Sequence, residues 1–390
     1  MLRTRSVKTG LRKLEKPRRI FSRRKFGVTA LSGIAGLKTL LSTRKGYADD
    51  HEYISQQKKN TSNMKLAMYH VPVNANEEEM TYIRQFGIEY VCLWVGGKAA
   101  TAENFIAIKK RFEKGGLKVW SIGNSNVHNV DKITLNLPGR EEKIAEYITY
   151  LRNLNKAGIH YTTYGHMADG VWHTGPEPVR GGVGGKSFDL EKAKKYGYLG
   201  HFADRPTHGR FYTKEEIWDN YIYFIKKVVP VAEEENIRIG IHPDDPPYPV
   251  LAGVPRCIFT NFDGYKRAFE IANSPNIGMC LCVGTWLAGG DLTGKDVVET
   301  IRYFGGLGKI FKVHIRNVES PLPNYRETWM DDGYMDLYKV VKALREVNNY
   351  CAIFNDHYVP GCVGGRWVGF AHGSAYLRAL LERANEEVQS

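Results

Sequence analysis

No stretch of this chain reaches the roughly 18 consecutive apolar residues of a membrane-spanning helix. Its six cysteines in 390 residues form no CxxC pair and are too sparse for a disulfide scaffold. No GxGxxG follows the first strand-like run, which argues against a doubly wound dinucleotide-binding sheet. There is no internal repeat. Excess charge is also missing from most of the chain. The net charge of +13 belongs to residues 1–48, which carry 14 Lys or Arg and one acid, Glu15. The remaining 342 residues carry 41 basic and 41 acidic groups. A neutral body lacks the electrostatic footprint of a nucleic-acid partner, and none is expected.

What is present starts with that basic segment. Arg23-Arg24 precede an apolar run from Phe26 to Leu37, too short to cross a bilayer, and Gly46-Tyr47-Ala48 offers small residues where a signal peptidase reads. Paired arginines before a mildly apolar run resemble a twin-arginine signal. Residues 1–48 are therefore read as an export signal, 49–63 as a flexible polar linker and 64–390 as the catalytic domain. The expectation is a periplasmic or otherwise exported protein without a membrane anchor after cleavage, and a cytoplasmic one if the signal reading fails.

Beyond residue 63 the chain alternates. β-rich runs fall at 66–71, 90–95, 118–123, 160–165, 238–243, 277–284, 310–317 and 351–356. Helix-like segments separate them, about 76–86, 102–115, 139–157, 214–236, 260–273, 294–304, 335–347 and 371–388. Ile144, Ile148, Leu151 and Leu154 show the helical period, and Gly158 follows as a stop. Eight such alternations predict an α/β fold, one (β/α)8 TIM barrel. Residues 166–213, rich in Gly, Pro, His and aromatics, break the rhythm after strand four, on the catalytic face. His166, His173, His201 and His208 lie there as acid–base or structural candidates. Glu177 and Arg180 can bind substrate hydroxyls or brace a lid. Cys92, Cys280 and Cys351 sit in apolar runs and read as core.

Four consecutive strands end in metal-binding side chains: His242, Cys282, His314 and Asp356. Parallel barrel strands gather their ends around one point, so residues far apart in sequence can meet there. Two imidazoles, a thiolate and a carboxylate suit Mn(II), Fe(II) or Zn(II) with positions open to substrate oxygens. Residues two apart on a strand share a face, which pairs Cys280 with Cys282 and His314 with Arg316. Cys280 then packs one layer down. Arg316 can grip a carboxylate or form an internal salt bridge.

The segments GIHPDDPP, CVGT, KVHIRNV and NDH, in this order on strands five to eight, together with SNVHNVDKITLNLPGR, resemble the mannonate dehydratase family. The similarity spans about residues 64–385. It implies a xylose-isomerase-like barrel that uses Mn(II) or Fe(II) to remove water from D-mannonate, giving 2-keto-3-deoxy-D-gluconate. It also implies that His242, Cys282, His314 and Asp356 hold the metal and that His357 moves protons. The family's Gly-Tyr step before its last helix falls on Gly364-Gly365 here, which makes Tyr358 the positional candidate for the missing tyrosine. Arg316 completes the candidate catalytic set. The competing expectations are an isomerase or epimerase on the same barrel and an inactive sugar-acid-binding protein. An aromatic content of 12% suits a homo-oligomer interface or a sugar platform equally.

Export is testable directly. A reporter fused to residues 1–48 should reach the periplasm by a route that needs Arg23-Arg24; a fusion retained in the cytoplasm would remove the signal reading.

Overall fold

The computed structural model describes residues 62–359 and 361–389. The expected signal and residues 49–61 of the linker lie outside the described residues. Asn63 is already fastened: its backbone N–H donates to Asn348 Oδ1 at 2.8 Å and its Nδ2 to the Asn348 carbonyl at 3.0 Å.

Strand and helix then alternate. β1 (Lys65–Met68), α1 (Glu77–Arg84), β2 (Tyr90–Val95), α2 (Ala102–Lys114) and β3 (Lys118–Asn124) come first. α3 (Asp131–Thr134), α4 (Arg140–Lys156) and β4 (Tyr161–Gly165) complete the first half of the barrel. The long insertion holds β5 (Gly175–Pro178), β6 (Gly184–Asp189) and α5 (Leu190–Lys195). Next come α6 (Lys214–Glu234), β7 (Arg238–His242), the small pair β8 (Val250–Leu251) and β9 (Val254–Pro255), and α7 (Phe262–Ala272). β10 (Ile277–Cys282) runs straight into α8 (Val283–Gly289), followed by α9 (Val297–Gly306) and β11 (Ile310–Ile315). β12 (Asn324–Arg326), α10 (Leu337–Val347), β13 (Ala352–Asn355) and α11 (Arg366–Gln389) end the chain. All eight expected barrel strands are present. The 277–284 run is shorter than expected, because the CVGT segment begins a helix.

Eight strands form one parallel sheet in the order β3-β2-β1-β13-β11-β10-β7-β4. Its end strands meet at a seam without a backbone ladder. Side chains bridge it instead: the Tyr150 hydroxyl donates to the Ile122 carbonyl at 2.6 Å and lies 2.7 Å from Thr162 Oγ1, while His128 Nδ1 meets the Thr163 carbonyl at 2.9 Å. The result is a nearly closed barrel ringed by helices. Parallel barrel strands are covered on both faces, and every residue of β10 and β11 is buried. Helix starts are set locally. Reciprocal capping boxes, Asn76 with Glu79, Thr213 with Glu216 and Asp296 with Glu299, satisfy the first free N–H groups of α1, α6 and α9. The α4 stripe buries Ile144, Leu151 and Leu154, and Gly158 leaves that helix with φ +64.

The barrel interior has its own small core of Ala67, Cys92, Trp120, Tyr161, Phe311, Ala352 and Phe354. This aromatic floor blocks the lower barrel and leaves the polar strand ends at the mouth. A bulge between β10 and β11 sets the layers: Met279 pairs with Ile310, but Cys280 pairs with Lys312 and Cys282 with His314.

The insertion after β4 is a built lid. β5 and β6 form an antiparallel hairpin, and β12, from the loop after β11, adds beside β6. Arg180 ties the hairpin to Asp331 at 2.8 Å, and Glu177 is paired with Lys192. Both are lid braces. Among the described residues no helix is long and apolar enough to cross a membrane.

His166 begins the insertion but turns inward. It lies 3% exposed, against the rings of Tyr221, Phe224 and Phe259, with Nδ1 2.9 Å from the Tyr164 hydroxyl. Burial pulls its pKa from 6.5 down to about 3. The unfolded chain binds that proton first, so this contribution to stability is complete above pH 6.5 and is lost as pH falls toward 3. His166→Phe should therefore flatten the decline of Tm between pH 6.5 and 4, read by thermal melts across that range.

Candidate metal centre and substrate cavity

Ligand atoms of His242, Cys282 and His314 all lie within 4.8 Å of one another. Asp356, just past β13, joins them: its Oδ1 is 3.3 Å from His314 Nδ1 and its Oδ2 accepts from the Cys282 thiol at 3.9 Å. The four residues expected from the strand ends do converge. Their outer contacts orient them. His242 Nδ1–H donates to the Pro243 carbonyl at 2.7 Å, which leaves its Nε2 lone pair free. His314 Nε2 lies 3.3 Å from Cys280 Sγ, and the buried His314 Nδ1 has no hydrogen-bond partner. Cys280 is thus more than packing; it holds the far side of a candidate ligand.

The field around these groups favours a cation. Burial lowers His242 to about pKa 4 and His314 well below 6.5, so both rings are neutral at pH 7 with a lone pair to offer. Burial pushes the Cys282 thiol far up, with Asp356 and Asp245 adding to the shift, so without a cation it keeps its proton. Burial works to raise Asp356, but its basic neighbours, with the charged Arg316 guanidinium among them, outweigh it and hold the carboxylate ionised. Two neutral imidazoles, a thiol and a carboxylate, with one orphaned buried ring nitrogen, fit a divalent transition ion.

Arg316 is consumed by the protein. It is 2% exposed and meets Asp245 at 2.8 Å, Glu327 at 3.1 Å and Asp356 at 3.5 Å, with Thr285 Oγ1 at 3.0 Å. Of the two roles expected for it, the internal salt bridge is the one seen. Glu327 comes from the segment after β12 and accepts from His357 Nδ1 at 2.7 Å. That bond puts the lone pair on His357 Nε2, 3.6 Å from Asp356 Oδ2.

The cavity beside the cluster measures about 130 Å³. Its wall includes Tyr69, His70, Trp94, His128, Lys186 and Lys312. Sequence reasoning missed these. His70 and Tyr69 follow β1, and His70 holds φ +55, uncommon for a β-carbon residue. Tyr358 does not line the cavity. It packs on Phe370 at 4.9 Å and against Gly369 of α11, which corrects its assignment as the replacement tyrosine. The insertion histidines are also elsewhere: His173 stacks near Tyr198, His201 bridges to Tyr198, and His208 meets Asp169 at 3.1 Å.

Comparison with known proteins places this geometry. The family model described as D-mannonate dehydratase (UxuA) matches residues 64–198 and 194–366. The chain is similar to a mannonate dehydratase of Geobacillus thermodenitrificans, 32% identical over 289 residues, covering 67% of this chain and 76% of the relative. It is also similar to one of Oceanobacillus iheyensis, 30% identical over 314 residues, covering 73% and 86%. The crystal structure of mannonate dehydratase from Streptococcus suis serotype 2 superposes with a TM-score of 0.71 at 25% identity, covering 83% of this chain and 95% of that one. An L-ribulose 3-epimerase structure, at TM-score 0.54 and 13% identity, shares the barrel fold.

Gly284 offers a sharp test of the Arg316 network. A Cβ there would lie 1.8 Å from Arg316 Cγ. Gly284→Ala should therefore displace the guanidinium, cost about 3 kcal/mol in denaturant unfolding and lower bound metal. A variant with unchanged stability and metal content would contradict the geometry.

Proposed function

The chain belongs to the D-mannonate dehydratase family of hydro-lyases, and from that premise we propose that it removes water from D-mannonate or a close sugar-acid relative with the help of Mn(II) or Fe(II). The observation that carries this reading is the convergence of His242, Cys282 and His314 with Asp356 beside a cavity walled by acid–base groups. The product from mannonate is 2-keto-3-deoxy-D-gluconate. Export by residues 1–48 belongs to the same proposal, supported by the Arg23-Arg24 pair and the apolar run after it.

The chemistry needs a base at C2 and a proton for the departing 3-hydroxyl. When bound, the metal ion supplies positive charge that stabilises the negative charge spreading onto the carboxylate as C2 loses its proton. In this reading His357 is the base. Glu327 holds its Nδ1–H, fixing the tautomer and steadying the imidazolium that forms when Nε2 takes the proton. Arg316, 3.1 Å from His357 Nδ1, keeps Glu327 and Asp356 ionised. Tyr69 is the tyrosine of the cavity. Burial, with Asp356 adding to it, holds its pKa well above 10, so it is protonated and serves as a hydrogen-bond donor to the leaving hydroxyl.

The test is mass spectrometry of D-mannonate incubated with the Mn(II)-loaded full chain. Loss of one water is expected. His357→Gln should lower kcat by about 10²- to 10⁴-fold with metal retained, whereas Cys282→Ala should lose the metal itself. Conversion at unchanged mass would replace the lyase reading with an isomerase.

A further inference from the structure

Three basic side chains, opposite in sign to a sugar acid, reach this cavity: Lys186, Lys312 and Arg316. Two are committed. Arg316 is divided among three carboxylates, and Lys186 stands 4.0 Å from Glu327. Lys312 is different. It is 2% exposed, and among the described residues no carboxylate lies within 4.0 Å of its Nζ. Its one hydrogen bond is to Thr163 Oγ1 at 3.3 Å. The ammonium otherwise stands over the rings of Phe354, Tyr69 and Tyr161, 5.1, 5.2 and 5.9 Å from their centroids. The bulge before it puts Lys312, rather than Phe311, in register with Cys280, one layer below His314.

Burying an ammonium with most of its donors unused is costly, and rings recover only part of that cost. An apolar residue would pack this floor more cheaply. We propose that Lys312 is the substrate-anion anchor of the cavity, its ammonium holding the carboxylate of a monoanionic sugar acid against the barrel floor. The inference rests on the sugar-acid reading above and identifies the residue that selects the acid over its neutral analogue. Lys186, Lys312 and Arg316 line the cavity against two carboxylates, Asp245 and Asp356, so the wall carries more basic than acidic side chains. A carboxylate on Lys312 also accepts two donors that have no partner among the described residues.

The experiment is calorimetric titration of the Mn(II)-loaded full chain in a His357→Gln background, with D-mannonate and with D-mannitol, which lacks the carboxylate. The parent should prefer mannonate, and adding Lys312→Met should erase about tenfold of that preference. Metal content should stay constant and Tm should hold or rise, because an unpaired buried charge is gone. An unchanged preference in Lys312→Met overturns the anchor. If that variant melts early, Lys312→Arg decides: preference kept supports the anchor, and preference lost in a folded, metal-loaded protein overturns it. Mannonate bound with this preference but never dehydrated by the wild type sinks the dehydratase reading and leaves the anchor standing. Dehydration by Lys312→Met at the wild-type KM does the reverse. No mannonate binding at all overturns both.

Discussion

The buried guanidinium of Arg316 organises the mouth of this barrel. A charge taken out of water must be matched, and here Asp245, Glu327 and Asp356 match it from three separate parts of the chain. One carboxylate follows β7, one comes from the lid side and one follows β13. Each then has a second partner that belongs to the chemistry. Glu327 orients His357, and Asp356 reaches His314 and Cys282. Such a cluster is poor evidence for stability, since apolar packing can do as well. Its effect is positional: with one member displaced, the others lose their reason to stay where they are.

The floor and the mouth of the barrel are separate solutions to different problems. Below, Trp120, Tyr161, Phe311 and Phe354 fill space. Above, ionisable groups face one another around a cavity. One bulged step along a strand is enough to pass from one regime to the other, as Phe311 and Lys312 show on β11.

Much of this was legible in the sequence. The eight strands were, because each is a compact β-rich run followed by a helical period. The four candidate ligands were, because parallel strands aim their last residues at a shared point. Other residues were hidden for physical reasons. Tyr69, His70 and His128 follow strands whose ends carry no concentrated signal, and only closure of the barrel brings them to the cavity. Lys312 depends on a bulge that no local pattern announces. Glu327 sits in an irregular stretch and gains meaning from a guanidinium beside it in space. Tyr358 misled because nearness in sequence to Asp356 says nothing about which way the chain turns after the strand. The lid hairpin was concealed by glycine and proline, which read as loop even when two such segments pair.

The lid sheet joins β5 and β6 to β12, segments more than a hundred residues apart in the chain. Glu327 follows β12 directly, so a member of the reactive cluster is delivered by a pairing that can form only after both halves of the barrel exist. Long-range pairings of this kind are late events, since their loop-closure entropy must be met before they give anything back. A nascent or partly folded chain can therefore own a complete barrel and still be chemically silent. Competence thus depends on a contact outside the barrel, and the reactive cluster is complete only where the lid sheet has formed.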